Sequence, residues 1–525
     1  MRQKALCLCA AIALLGACSK NVPAGLSGGY DQYSVRHGEI ILGNKLENPY
    51  STENVKSAFA ALYPTKSVSD IRTTDYYVRF LPETPDQLDM LKEMGLSLID
   101  HPVDYTVLQE GDYYRDPSLS ADAITWQYAV VDKDFVFPEH IRYELLQECY
   151  LAEHDTPSKA LDGVNWDAVE AEAFRLTGNE SLLSEAGTRG QKEVKPSGRI
   201  MIVDDKAAGA TPAGLSGVKI QCNVFVKFAS TYTDREGYYT MPKSFSAKPR
   251  YRLIFKNEKG FSIGFNSIFY PASVSTLGKA SNEGITTVIT KNSDRALFRR
   301  SAVSNACYEY YETCSDSALG LTPPPSDLCI WTFDIIDASS AVMLHHGTVL
   351  DKESKNLYFR LASMVVAFFG PDVTIGSKYC EDYQSIFDLT VHELAHATHF
   401  QRVGKAWWDR YIAYIVKCFI KGESLYGHSQ LEDAGICATG EMWAYYLGSL
   451  MHMSRYGGSN PNFGSGEWFH PQILTYLDER GISSRMILAA LKPSVVDMDT
   501  LRDELCSLYP DRKRIIDQAF NRYGL

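Results

Sequence analysis

The chain has 525 residues, of which 45% are hydrophobic and 22% charged, with a formal net charge of −12. That length leaves room for two to four domains with a sizeable core, and the composition is that of a globular protein rather than a disordered one. The acidic balance gives no reason to expect nucleic acid as a partner, which calls for a basic surface.

Arg2 and Lys4 precede the apolar run Ala5 to Ala17. The run is too short to span a bilayer comfortably and reads as a leader. It ends in Leu15-Gly16-Ala17-Cys18, which resembles the lipobox of bacterial lipoproteins. That resemblance implies removal of residues 1–17, a diacylated Cys18, and a lipid anchor on a membrane in place of a transmembrane helix. Ser19 stands where an inner-membrane retention signal has aspartate, so the resemblance further implies the outer membrane, facing periplasm or cell exterior. An ordinary secretory signal with an incidental cysteine is the alternative. Of 12 cysteines, Cys7 and Cys9 leave with the leader and Cys18 takes lipid. Nine remain, an odd number, so at least one is a free thiol; any bridges concentrate from Cys307 to Cys506, where seven of the nine lie.

Residues 18–50, rich in Gly, Ser and Asn, read as a tether. A small α+β domain follows over 51–190. Its strand Tyr76 to Leu81 leads to a helix capped by Thr84, with Pro85 at the first position, Gln87 completing a capping box and Gly95 ending it. Leu96 to Ile99 reads as the next strand. Such units resemble pro-domains or interaction domains of secreted peptidases; a plain structural domain is the alternative.

From about 195 to 290 short strands alternate with turns: Gly198 to Asp204, Gly214 to Ile220, Thr231 to Tyr239 and Tyr251 to Phe255. That spacing predicts a β-sandwich. The phrases Gly198-Arg199-Ile200-Met201-Ile202-Val203-Asp204 and Leu215-Ser216-Gly217-Val218 resemble the carboxypeptidase regulatory-like (transthyretin-like) domain, which implies an accessory module without chemistry of its own. Asp204 and Asp234 suit turn capping, with calcium as the alternative.

Residues 291–525 are helix-rich. Pro371 to Gly376 predicts a short strand, and Asp388 to Phe400 carries His392-Glu393-Leu394-Ala395-His396. Two histidines four apart lie about 40° apart on one helical face and can grip one divalent ion from the same side. Glu393 follows the first and can take a proton from water held at an open position of that ion. Phe387, Val391 and Leu394 form the opposite, apolar stripe. The motif resembles that of zincin metallopeptidases, which implies one Zn2+, Glu393 as general base and a peptide or protein substrate. In zincins a nearby edge strand binds the substrate backbone. A buried helix with two satisfied core histidines is the alternative.

A catalytic zinc site needs a third protein ligand. Metzincins supply a histidine six residues after the second; Arg402 stands there, which excludes that class. Gluzincins use a glutamate from a later helix, and Glu441, 45 residues after His396, reads as the head of the helix Glu441 to Met451. The second acid usual one turn later is absent, with Tyr445 in its place. His399 lies farther along the first helix and suits a supporting or substrate-facing role. His428, Glu432 and Asp433 remain other ligand candidates. Tyr445, Tyr446, Tyr456 and His470 remain candidates for stabilising the oxyanion of amide hydrolysis.

These features predict a multidomain α+β protein: a small N-terminal α+β domain, a β-sandwich and a helix-rich zincin-like domain. The function they imply is that of a lipid-anchored zinc peptidase of the gluzincin type. A non-catalytic surface binding or adhesion lipoprotein with a degenerate zincin domain is the rival.

Overall fold

The structure is a computed structural model. It describes residues 39–525 except 121–122, 156–160, 185–193, 208, 265–273, 318, 334–338, 349–370, 425 and 459–463. The leader and Cys18 lie outside the described residues. Among the described residues no helix is long and apolar enough to cross a membrane.

The first part runs β1 (Ile41–Lys45), α1 (Thr52–Leu62), β2 (Asp75–Leu81), α2 (Pro85–Glu93), β3 (Tyr105–Gln109), β4 (Gln127–Asp132), β5 (Arg142–Cys149) and α3 (Trp166–Leu176). β2 lies between β4 and β5, antiparallel to both. Its alternation buries Val78 and Phe80 against Leu91 of α2. Thr84 caps α2 by accepting from the Gln87 amide, while the Gln87 side chain accepts from Glu83, one residue before the cap. Two expectations change here. The tether stops short of residue 50, because β1 pairs with β3. Leu96 to Ile99 is not a strand: Ile99 alone bridges Tyr128, and Pro102 just beyond lacks the N–H a longer ladder needs.

The middle part comprises β6 (Ser197–Ile202), β7 (Ala213–Gly214), β8 (Val218–Val224), β9 (Lys227–Tyr232), β10 (Tyr238–Thr240), β11 (Arg250–Asn257), β12 (Ser262–Gly264), β13 (Val274–Lys279) and β14 (Thr287–Ile289). One sheet has the order β10-β6-β14 with β7 on β6; the other places β8 between β9 and β11. Ile200, Ile202 and Tyr239 of the first share a core with Ile220, Tyr251 and Leu253 of the second. Asp204, after β6, is spoken for on both oxygens. Oδ1 accepts from the amides of Lys206 and Ala207, and Oδ2 meets Arg455 and Tyr456 at 3.0 Å each. Asp234 accepts from the Tyr238 amide. Both act in turns, and Asp204 also clamps Arg455 and Tyr456.

Next come α4 (Arg295–Ser315), β15 (Cys329–Phe333), β16 (Val373–Gly376), α5 (Tyr383–Val403), α6 (Lys405–Lys421), α7 (Ala434–Tyr456), α8 (Gln472–Asp478), α9 (Ser484–Ala490), α10 (Met498–Leu508) and α11 (Lys513–Asn521). β12, β15 and β16 pair in parallel, so one seven-stranded sheet continues from the middle part into the helical part across residue 290. α4 is buried nearly all round and packs on α5, where the Tyr310 and Thr398 hydroxyls meet at 2.8 Å. All nine cysteines after residue 38 are free thiols, and none bridges another. Seven are buried, where a thiol behaves as a small hydrophobic group.

Candidate metal centre

α5 begins where the Asp382 side chain accepts from the Ser385 amide at 2.9 Å and ends at Gly404, whose φ of 77° suits glycine. Between these caps His392 and His396 lie one turn apart, with ring centroids 5.0 Å apart. α7 packs along α5, tied by the Trp443 indole N–H donating to the Ala395 carbonyl at 3.0 Å. This packing brings Glu441 to the histidines. Its Oε2 lies 3.6 Å from His392 Nε2 and 3.5 Å from His396 Nε2. These three ligand atoms lie within 4.8 Å of one another and could hold a metal ion; they are the one such group among the described residues.

Glu441 does not head its helix. α7 starts at Ala434, so Glu441 is the eighth residue and belongs to the helix interior. Gly435 and Gly440 lie inside α7 as close-approach positions. A Cβ at Gly435 would collide with Asp497 Cβ at 2.4 Å, and one at Gly440 would press on the Tyr411 ring at 3.3 Å. The second approach matters to the site: the Tyr411 hydroxyl of α6 donates to Glu441 Oε1 at 2.5 Å, leaving Oε2 turned to the histidines. No feature of the sequence singled out Tyr411, which reads as one more aromatic in the stripe Trp407, Trp408, Tyr411, Tyr414.

The electrostatics favour a charged carboxylate at Glu441. Burial works against ionisation of Glu441, but His396 and His392 outweigh it and bring its pKa to about 2. Burial lowers the pKa of His392. Glu393 is also wholly buried, about 60° round α5 from His396. His392 is the member of the group that keeps an outlet, with 12% of its side chain exposed.

The other candidates sort by packing. His399 is not among the metal group. It is buried against Trp407 at 4.7 Å and Trp408 at 5.9 Å, and burial, with His396 and Arg402, lowers its pKa to about 3. Tyr445 sets its ring on His392 at 4.8 Å and shares a hydrogen bond with the Tyr426 hydroxyl at 3.0 Å. Tyr456 is committed to Asp204, Tyr446 faces Asp478 and Ser484, and His470 stacks on Tyr523. His428 and Glu432 are exposed, and Asp433 pairs with Arg410. β16 is the outermost strand of its sheet, but its free edge is not open to substrate. Ser340 and Thr374 exchange backbone hydrogen bonds of 3.0 and 2.8 Å along it.

Compared with protein-family models, with curated proteins and with solved structures, the chain matches none.

Proposed function

We propose that this protein is a zinc-dependent peptidase, held on a membrane by lipid on Cys18, that hydrolyses peptide bonds in peptide or protein substrates. The observation that carries the reading is the placement of Glu441 Oε2 3.5 and 3.6 Å from the two histidine nitrogens. Ligand atoms bound at 2.0–2.2 Å around a tetrahedral zinc lie about 3.4 Å from each other. Two neutral imidazoles and one carboxylate from two helices also leave a fourth position, which marks catalytic rather than structural sites.

Bound there, zinc supplies the Lewis acidity that makes water a nucleophile near neutral pH and polarises a carbonyl. The chain's own residues do the rest. Glu393 accepts the proton of the attacking water and delivers it to the leaving amine nitrogen, so one carboxylate serves as base and then acid. Tyr411 holds Glu441 by one oxygen, which keeps the other aimed at His392 and His396. Tyr445, against the His392 ring, stands nearest of the tyrosine candidates to steady the developing oxyanion.

One observation favours the second reading, a binding lipoprotein with a structural metal: Glu393, His396 and Glu441 are all wholly buried. The experiment that separates the two uses purified protein, its metal content measured by mass spectrometry, and a quenched fluorescent peptide library. Cleavage that stops with chelator, returns with zinc and is lost in Glu393→Gln supports the peptidase. A stoichiometric metal with no cleavage of any library member in wild type rejects it.

A further inference from the structure

The segment Lys248-Pro249-Arg250-Tyr251-Arg252-Leu253 alternates two chemistries along β11 and the residues leading into it. Tyr251 and Leu253 point into the core shared by the two middle sheets. Lys248, Arg250 and Arg252 therefore point to the opposite face, where a strand places every second residue. On that face Arg250 stands directly across from Lys279 of β13. Like charges so placed repel. Four cations thus converge in a protein whose net charge is −12, and all four line one small cavity between β11 and the loop around His101.

Arg252 is the centre of this arrangement. It is 5% exposed, donates from one terminal nitrogen to Asn223 at 3.0 Å, and its Nε has no hydrogen-bond partner among the described residues. Burial lowers its pKa to about 10, which leaves it charged at neutral pH. Two acids, Asp100 and Glu110, lie near the four cations and offset them only in part. Asp100 engages the His101 ring and the Tyr114 amide with its two oxygens, and Glu110 forms its ion pair with Arg250. Burial and the neighbouring arginines keep the His101 pKa low.

We propose that this cavity binds a phosphate group, whose oxygens take the free Arg252 N–H and the ammonium groups of Lys248 and Lys279. A cavity of about 40 Å3 suits one such group with little beside it. A water occupies roughly 10–15 Å3 in the same measure, so a nucleotide is excluded. Guanidinium and ammonium donors together match the charge and the several acceptor oxygens of a phosphate.

The test follows binding of inorganic phosphate and of glycerol 3-phosphate to the full chain by calorimetry, against chloride at matched ionic strength. Wild type should bind saturably. Lys248→Gln/Lys279→Gln, which changes two exposed side chains, should weaken binding by about tenfold or more without altering the ligand-free melting temperature. Arg252→Gln should abolish binding. Tighter binding of the free ion identifies the ligand as inorganic phosphate; tighter binding of the ester identifies a phosphate carried on a larger molecule. No saturable binding of either, or a double-lysine variant that binds as tightly as wild type, overturns the assignment.

Discussion

The Tyr411 hydroxyl of α6 reaches across to Glu441 of α7 and donates a 2.5 Å hydrogen bond to one carboxylate oxygen. The other oxygen is thereby committed to His392 and His396. Tyr411→Phe removes this bond while keeping the ring that packs beside Gly440. Metal affinity, read by competition with a chelator, should fall about 10–100-fold, the usual cost of losing a group that orients a ligand. The Glu441→Ala protein should lose far more. Equal losses in the two variants would mean that Glu441 is not a ligand.

Glu393→Gln should keep the metal and lose hydrolysis by about 10²–10⁴-fold, because an amide cannot accept the proton of the attacking water. Metal content and turnover are measured on one preparation. Loss of metal together with activity would instead make Glu393 part of the metal site.

Arg455 joins the end of α7 to the middle sheets through Asp204 and to α4 through Glu309, and Asp204 is only 4% exposed at its side chain. Arg455→Met leaves that carboxylate buried without its cation, which should cost about 3–5 kcal/mol in denaturant unfolding. Arg455→Met with Asp204→Asn should recover part of the loss. A cost within about 0.5 kcal/mol, the size of an ordinary surface change, would show that the clamp contributes nothing.

His346 lies between Asp372, 2.9 Å away, and Asp327, 3.1 Å away. Burial opposes its protonation, but the two aspartates prevail and raise its pKa. A raised folded pKa makes the protonated ring stabilising. That contribution is complete below the unfolded value of about 6.5 and is lost as pH climbs through the folded value. The gap in urea midpoint between wild type and His346→Gln should therefore be wider at pH 6 than at pH 8. A gap that widens with rising pH would contradict the assignment.

Cys18→Ser should release the protein from membranes, since one short leader with a lipobox-like end leaves lipid as the anchor. Fractionation after a high-salt wash reads this directly. A Cys18→Ser protein that stays with the membrane would count against the lipid anchor.

What the sequence determined by itself is local. The pairing of His392 with His396 follows from the α-helical repeat alone, and the strands at Tyr76 to Leu81 and Tyr251 to Phe255 follow from their aromatic and β-branched content between turn residues. Glu441 was legible as an acid on an apolar helix, but not its place inside that helix, because Gly435 and Gly440 carry the same signal whether they break a helix or admit a neighbour. Tertiary packing alone decided the rest. It brought the Tyr411 hydroxyl to Glu441, turned His399 into a tryptophan-lined core, laid Ser340 along the edge of β16 and ran one sheet across residue 290. Each of these joins residues of different elements, where no repeat of helix or strand sets the distance and only the burial of one surface against another does.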